Sequence, residues 1–180
     1  MKILFVALLA FSLFSCSDIA KSKQIERIVA MEQSLDSIQT VLDKERIDTV
    51  LDWSLSAYNV EKRIKENYVS DTVDMALGQK MDAYKIMRRS IEPMGKAMNA
   101  TKKGIIEERE KLASLKKDIE NGDGDREKYD EYVLFEEQKV GQLRTLITDF
   151  TETKARALKT YNELHDELSA FSYKLLEKKK

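Results

Sequence analysis

The chain contains one histidine, His165, and one cysteine, Cys16, so the two side chains most used in nucleophilic and proton-transfer chemistry occur once each. A catalytic histidine needs a nucleophile and an orienting acid brought beside it. His165 follows Leu164 on a strongly periodic apolar segment, at the flank of its seam, where a packed or solvent-facing ring is expected. The stretch Asn121-Gly122-Asp123-Gly124-Asp125 invites comparison with a calcium loop. With Asn121 in first place, Arg126 stands where that loop needs glycine and Tyr132 where it needs a bidentate glutamate. A capped turn between helices accounts for the same residues. Without a cluster of Cys and His, zinc has no ligand set. The expectation is a chain with no enzymatic centre, no metal and no cofactor.

Cys16 has other chemistry open to it. Met1-Lys2 is followed by a small and apolar run from Ile3 to Phe14, then Ser15-Cys16. That run is too short to span a bilayer, which takes about twenty residues, and suits a secretory signal core of roughly seven to fifteen. A lone cysteine has no disulfide partner within the chain. Leu13-Phe14-Ser15-Cys16 resembles the lipobox of bacterial lipoproteins: aliphatic, variable, small, then cysteine. The resemblance implies that residues 1–15 are a removable signal peptide and that the Cys16 thiol carries diacylglycerol. The new amine would be acylated, and residues 16–21 would form a short lipidated tether. Each buried methylene contributes about 0.8 kcal/mol, so two or three acyl chains anchor stably where one is marginal. Ser17 is not the Asp that the family uses for inner-membrane retention, which implies the outer membrane. Only Asp18 precedes Lys21 and Lys23, so the acidic run associated with surface display is absent. The periplasmic face is therefore favoured, with the cell surface as the alternative.

Three further patterns have two readings each. Lys178-Lys179-Lys180 complements the negative end of a C-terminal helix. It is also similar in kind to the terminus of the murein lipoprotein, which implies peptidoglycan attachment through Lys180. Asp36-Ser37-Ile38, Asp48-Thr49-Val50 and Asp71-Thr72-Val73 resemble the acceptors of a bacterial O-glycosylation system, but three residues make a motif of low specificity, and helix capping or chance is the favoured account. Met75, Met81, Met87, Met94 and Met98 could line a groove for apolar ligands, or simply pack a core.

The elements that must position these residues are helices. Among 180 residues there are six Gly and one Pro, too few to punctuate a sheet protein, and the 31 cations nearly balance the 32 acids. That balance gives no electrostatic reason to expect nucleic acid. Apolar residues alternate at spacings of three and four through Val140, Leu143, Ile147, Phe150, Ala157, Tyr161, Leu164, Leu168, Phe171 and Leu175, with Lys154 as the one polar member and Val133 and Tyr129 upstream. This predicts a helix over 126–178.

A second series, Leu77, Tyr84, Ile91, Met98, Ile105, Leu112 and Ile119, predicts a helix over 71–120. Ser70 or Asp71 would cap it, Pro93 would kink it, and Asn121-Gly122 would end it. Asp123 or Asp125 would cap the next helix. The first segment, 22–68, carries Ile28, Met31, Leu35, Ile38 and Leu42, then Val50, Trp53, Ala57, Val60 and Ile64 in a frame displaced by one residue. Asp43-Lys44-Glu45-Arg46 contains no helix breaker, so one continuous helix absorbing a skip residue is expected; the alternative is a break near residue 45.

Three helices of roughly 70, 75 and 80 Å joined by short connections imply an all-α fold, an elongated up-down-up antiparallel three-helix coiled-coil bundle over 22–180. Four helices with a break near 45 is the alternative architecture. The function these features imply is a non-enzymatic lipoprotein of the cell envelope. It would be held to the membrane by its N-terminal lipid and act as a scaffold or interaction module for an envelope protein. An outer membrane to peptidoglycan tether through Lys180 and a surface-exposed or apolar-ligand-binding lipoprotein are the rival readings.

Overall fold

The heptad seams fold as their spacing dictates. The computed structural model describes the backbone of residues 2–45 and 47–178, and the side chains of residues 19–45 and 49–178. The side chains of Leu13, Phe14, Ser15 and Cys16, on which the lipidation reading falls, and the whole of Lys180, on which the attachment reading falls, lie outside the described residues. The elements are α1 (Lys2–Lys44), α2 (Ile47–Asn67), α3 (Met75–Asn121), a 3-10 turn (Arg126–Lys128) and α4 (Tyr129–Glu177), with no strand among the described residues. The fold is all-α. No helix among the described residues is long and apolar enough to cross a membrane.

The expected continuous helix over 22–68 is instead two helices, because α1 ends at Lys44 and α2 begins at Ile47. The arrangement is therefore the four-helix alternative. The reason is a difference in residue count. On the first side of the break, Arg27 bonds Glu137 and Arg144 bonds Ser34, both at a sequence separation of 110. On the second, Glu45 bonds Lys154, Ser56 lies by His165 and Arg63 bonds Ser172, all at a separation of 109. The first segment thus contains one more residue than the stretch of α4 beside it. The α4 seam runs without a slip, so the surplus is discarded on the other side, where the helix ends with the tighter bond from the Glu45 amide to the Leu42 carbonyl at 3.1 Å.

The contacts divide into two units. The first comprises Met1–Val41 and Thr101–Thr145, the second Leu42–Ala100 and Leu146–Lys180. In the first, α1 runs parallel to α4, as Arg27–Glu137 and Ser34–Arg144 require, and antiparallel to α3, as Glu32–Lys116 and Asp36–Arg109 require. Its core contains Ile28, Leu35, Ile105, Leu112, Ile119 and Val133, all at most 2% exposed. In the second, α2 runs parallel to α4 and α3 antiparallel to both, around Val50, Val60, Tyr84, Ile91 and Leu168. Each unit is thus an up-down-up three-helix bundle. Lys154, the one polar residue in the α4 series from Val140 to Leu175, forms an ion pair with Glu45 there.

The helix ends obey local chemistry with one correction. Asp74, and neither Ser70 nor Asp71, caps α3: its Oδ1 accepts from the Leu77 amide at 2.9 Å. The Ser70 hydroxyl is engaged in its own turn, donating to the Thr72 carbonyl at 2.8 Å. Pro93 lies within an uninterrupted α3. Gly122 ends that helix at φ 72°, and the Asp123 amide donates to the Asp118 carbonyl at 2.8 Å, closing a Schellman turn. The Tyr129 hydroxyl bonds the Asp118 and Asp123 carbonyls. Asp125 occupies the N-cap position of the 3-10 turn without a side-chain cap bond, and its carboxylate pairs with Lys128 at 3.0 Å.

Candidate functional site

His165 is half-buried in a cluster of aromatic and hydroxyl groups within the second unit. Its ring stacks on Tyr161 at 4.3 Å between centroids, and Tyr161 stacks in turn on Trp53 at 5.8 Å. Its Nδ1 lies 2.5 Å from the Tyr84 hydroxyl and its Nε2 3.4 Å from Ser56 Oγ. Burial, followed by the neighbouring Tyr161 and Glu61, holds the Tyr84 phenol protonated well above its usual range. Burial, with Arg63 adding and Asp166 opposing, keeps His165 below the usual histidine value and neutral. One ring nitrogen therefore donates and the other accepts, and the Tyr84 and Ser56 hydroxyls can each serve in either role. Together with the stacked Tyr161 and Trp53 rings they hold the imidazole in a packed cluster of aromatic and hydroxyl groups.

A second polar pair lies in the first unit, between α3 and α4. Glu108 is 4% exposed, and its Oε1 and Glu136 Oε2 are buried without a hydrogen-bond partner. Two facing acceptors become a donor and an acceptor when one proton is shared between them. Burial, followed by the closeness and charge of the Glu136 carboxyl, accordingly pushes the Glu108 carboxyl up to about 7 against the 3.6 Å contact with Lys111. Both residues are at seam positions, Glu108 three beyond Ile105 and Glu136 four before Val140, each fourteen from Gly122. That spacing was the signal in the sequence, hidden because seams are read for apolar residues. No group of three or more metal-ligating side chains occurs among the described residues.

The remaining sequence candidates separate cleanly. Met87, Met94 and Met98 are core residues, at most 4% exposed, while Met75 is 67% exposed. The Asn121–Asp125 stretch is the turn already described, with Asn121 donating to Asp123 Oδ2 at 3.1 Å. Ser37, Thr49 and Thr72 are exposed, and the Ser37 hydroxyl donates to the Gln33 carbonyl.

Reading one seam per helix missed the outward faces. On α2, Leu51 (49% exposed), Leu55 (63%) and Tyr58 (48%) follow at spacings of four and three, each beside the core frame of Val50, Ala57 and Val60. On α4 within the first unit, Tyr132 and Phe135 are likewise exposed three residues apart, with Lys139 Nζ 5.2 Å over the Phe135 ring. Scattered exposed apolar residues are ordinary, whereas rows at heptad spacing are faces shaped for another helix. These rows are the candidate functional surfaces. No family model, curated protein or solved structure matches the chain.

Proposed function

We propose that this protein is a non-enzymatic, lipid-anchored helical module of a bacterial cell envelope that recruits a protein partner through an outward helix face. The observation that carries recruitment is the exposed row Leu51, Leu55 and Tyr58, a second heptad seam on a helix whose first seam is already buried. Anchoring rests on Leu13-Phe14-Ser15-Cys16, and the outer membrane, facing the periplasm, on Ser17 and the lack of an acidic run after it. The His165 environment supports a structural role for the one residue best suited to catalysis. Cell fractionation tests the anchor: the Cys16→Ala variant should move from membrane to soluble fraction, and a variant that stays with the membrane refutes it. Photo-crosslinking in cells tests recruitment. A crosslinker at Leu55 or Phe135 should capture a discrete protein and one at exposed Lys117 should not; equal capture at all three positions refutes it.

A further inference from the structure

Along α2 the exposed row does not end at Tyr58. Lys62 and Lys65 continue it at spacings of four and three, so one face changes from apolar to cationic over fourteen residues, about 21 Å of helix rise. At its cationic end a groove of about 310 Å³ runs between α2 and α3 within the second unit, and Lys85, Arg88 and Arg89 form its far wall. Its two acids are already engaged. Glu61 receives Arg88 in a two-point bond at 2.8 and 3.2 Å, and Glu66 lies 4.0 Å from Lys62. Lys65, Lys85 and Arg89 make no ion pair or hydrogen bond among the described residues. In a chain of net charge −1, three unpaired cations beside one groove form a local positive field. Tyr58 joins the two halves, its half-exposed ring lying 5.6 Å beneath the Arg88 guanidinium.

We propose that this face docks an amphipathic acidic helix of the partner protein, with apolar residues against Leu51, Leu55 and Tyr58 and carboxylates against Lys65, Lys85 and Arg89. The inference rests on the recruitment reading and specifies its surface and the partner's chemistry. Heptad spacing selects a helix, because a second helix meets residues three and four apart along one line. Charge complementarity selects acidic residues at one end only. A flexible polyanion such as a polyphosphate or an anionic glycan would satisfy the cations and leave Leu51 and Leu55 in water, which is why a protein helix is favoured.

The test uses the full-length lipidated chain in neutral detergent micelles and a fluorescent 21-residue helical peptide, leucine at heptad positions in one half and glutamate in the other. Fluorescence anisotropy should report binding that weakens at least about tenfold with Lys85→Glu/Arg89→Glu or in 0.5 M salt, a loss expected of two rim charge pairs. Leu55→Asp should weaken it comparably. A peptide carrying lysine for glutamate should fail on the native protein and bind the Lys85→Glu/Arg89→Glu variant, a charge-swap rescue that a folding defect does not produce. The proposal is overturned if the acidic peptide does not bind, or if inorganic polyphosphate binds more tightly and Leu55→Asp leaves peptide affinity unchanged. A crosslink captured in cells from Phe135 without peptide binding at the groove would refute this inference while leaving recruitment standing.

Discussion

Replacing Glu108 by glutamine isolates the buried carboxyl pair. The carboxyl rises from its ordinary 4.5 to about 7. At about 1.4 kcal/mol per tenfold change in proton affinity, that interval is worth about 3 kcal/mol. The sign follows from which state holds the proton. Between 4.5 and about 7 the folded protein binds it and the unfolded chain does not, so the pair is most stabilising at acid pH. Its contribution declines as pH rises through that window, and above it an ionised Glu108 is left buried beside Glu136. Glutamine supplies an N–H to Glu136 at every pH. Urea unfolding followed by circular dichroism should therefore show Glu108→Gln close to the wild type at pH 5 and more stable by about 3 kcal/mol at pH 8, or about 6–12 °C in Tm. Because every other titrating group is common to both proteins, the difference between them reports this pair alone. Equal destabilisation at pH 5 and pH 8 would refute the shared proton.

Lys154→Met makes the α4 series from Val140 to Leu175 uniformly apolar yet leaves Glu45, 16% exposed, without its cation, so chemical denaturation should show a loss of about 2 kcal/mol. Adding Glu45→Gln should recover much of that loss, a coupling that a double-mutant cycle measures. His165 should titrate below the ordinary histidine range by NMR, since burial lowers it. Its contribution to stability is then present above the ordinary value and is lost as pH falls through the folded one, opposite in sign to Glu108. Tyr84→Phe removes the hydroxyl bonded to Nδ1, and thermal unfolding should register a loss of about 1–2 kcal/mol. A Cβ at Gly141 meets nothing within 4 Å, so Gly141→Ala should stabilise α4 by about 0.5–1 kcal/mol in the same assay. Gly124→Ala, forced to φ 78°, should cost about 1–2 kcal/mol.

Much of the fold is legible along the chain because helix periodicity is a local property. Ile28, Leu35, Ile105, Leu112, Val133 and Val140 were identifiable as core by spacing alone, and all are at most 3% exposed. Asn121-Gly122 announced the turn because glycine reaches the left-handed conformation at least cost. Capping was harder to place. Ser70, Asp71 and Asp74 are chemically equivalent candidates, and the backbone path that occupies Ser70 with Thr72 leaves Asp74 to cap. The outward row on α2 was equally visible in Leu51, Leu55 and Tyr58, but a sequence frame does not say which of two adjacent seams faces the core.

By itself the sequence determined the helical class, the residues of each buried seam, the turn near Gly122 and the presence of one surplus residue between Leu42 and Val50. Only the tertiary structure decided how that surplus is discarded, which cation meets Glu45, and that the Glu108 and Glu136 carboxyl groups are brought together. The physical reason is that heptad spacing specifies which side of a helix is apolar, whereas partners across a seam depend on the axial offset between helices. Here that offset is 110 residues in one unit and 109 in the other, and it is set only when whole seams pack together.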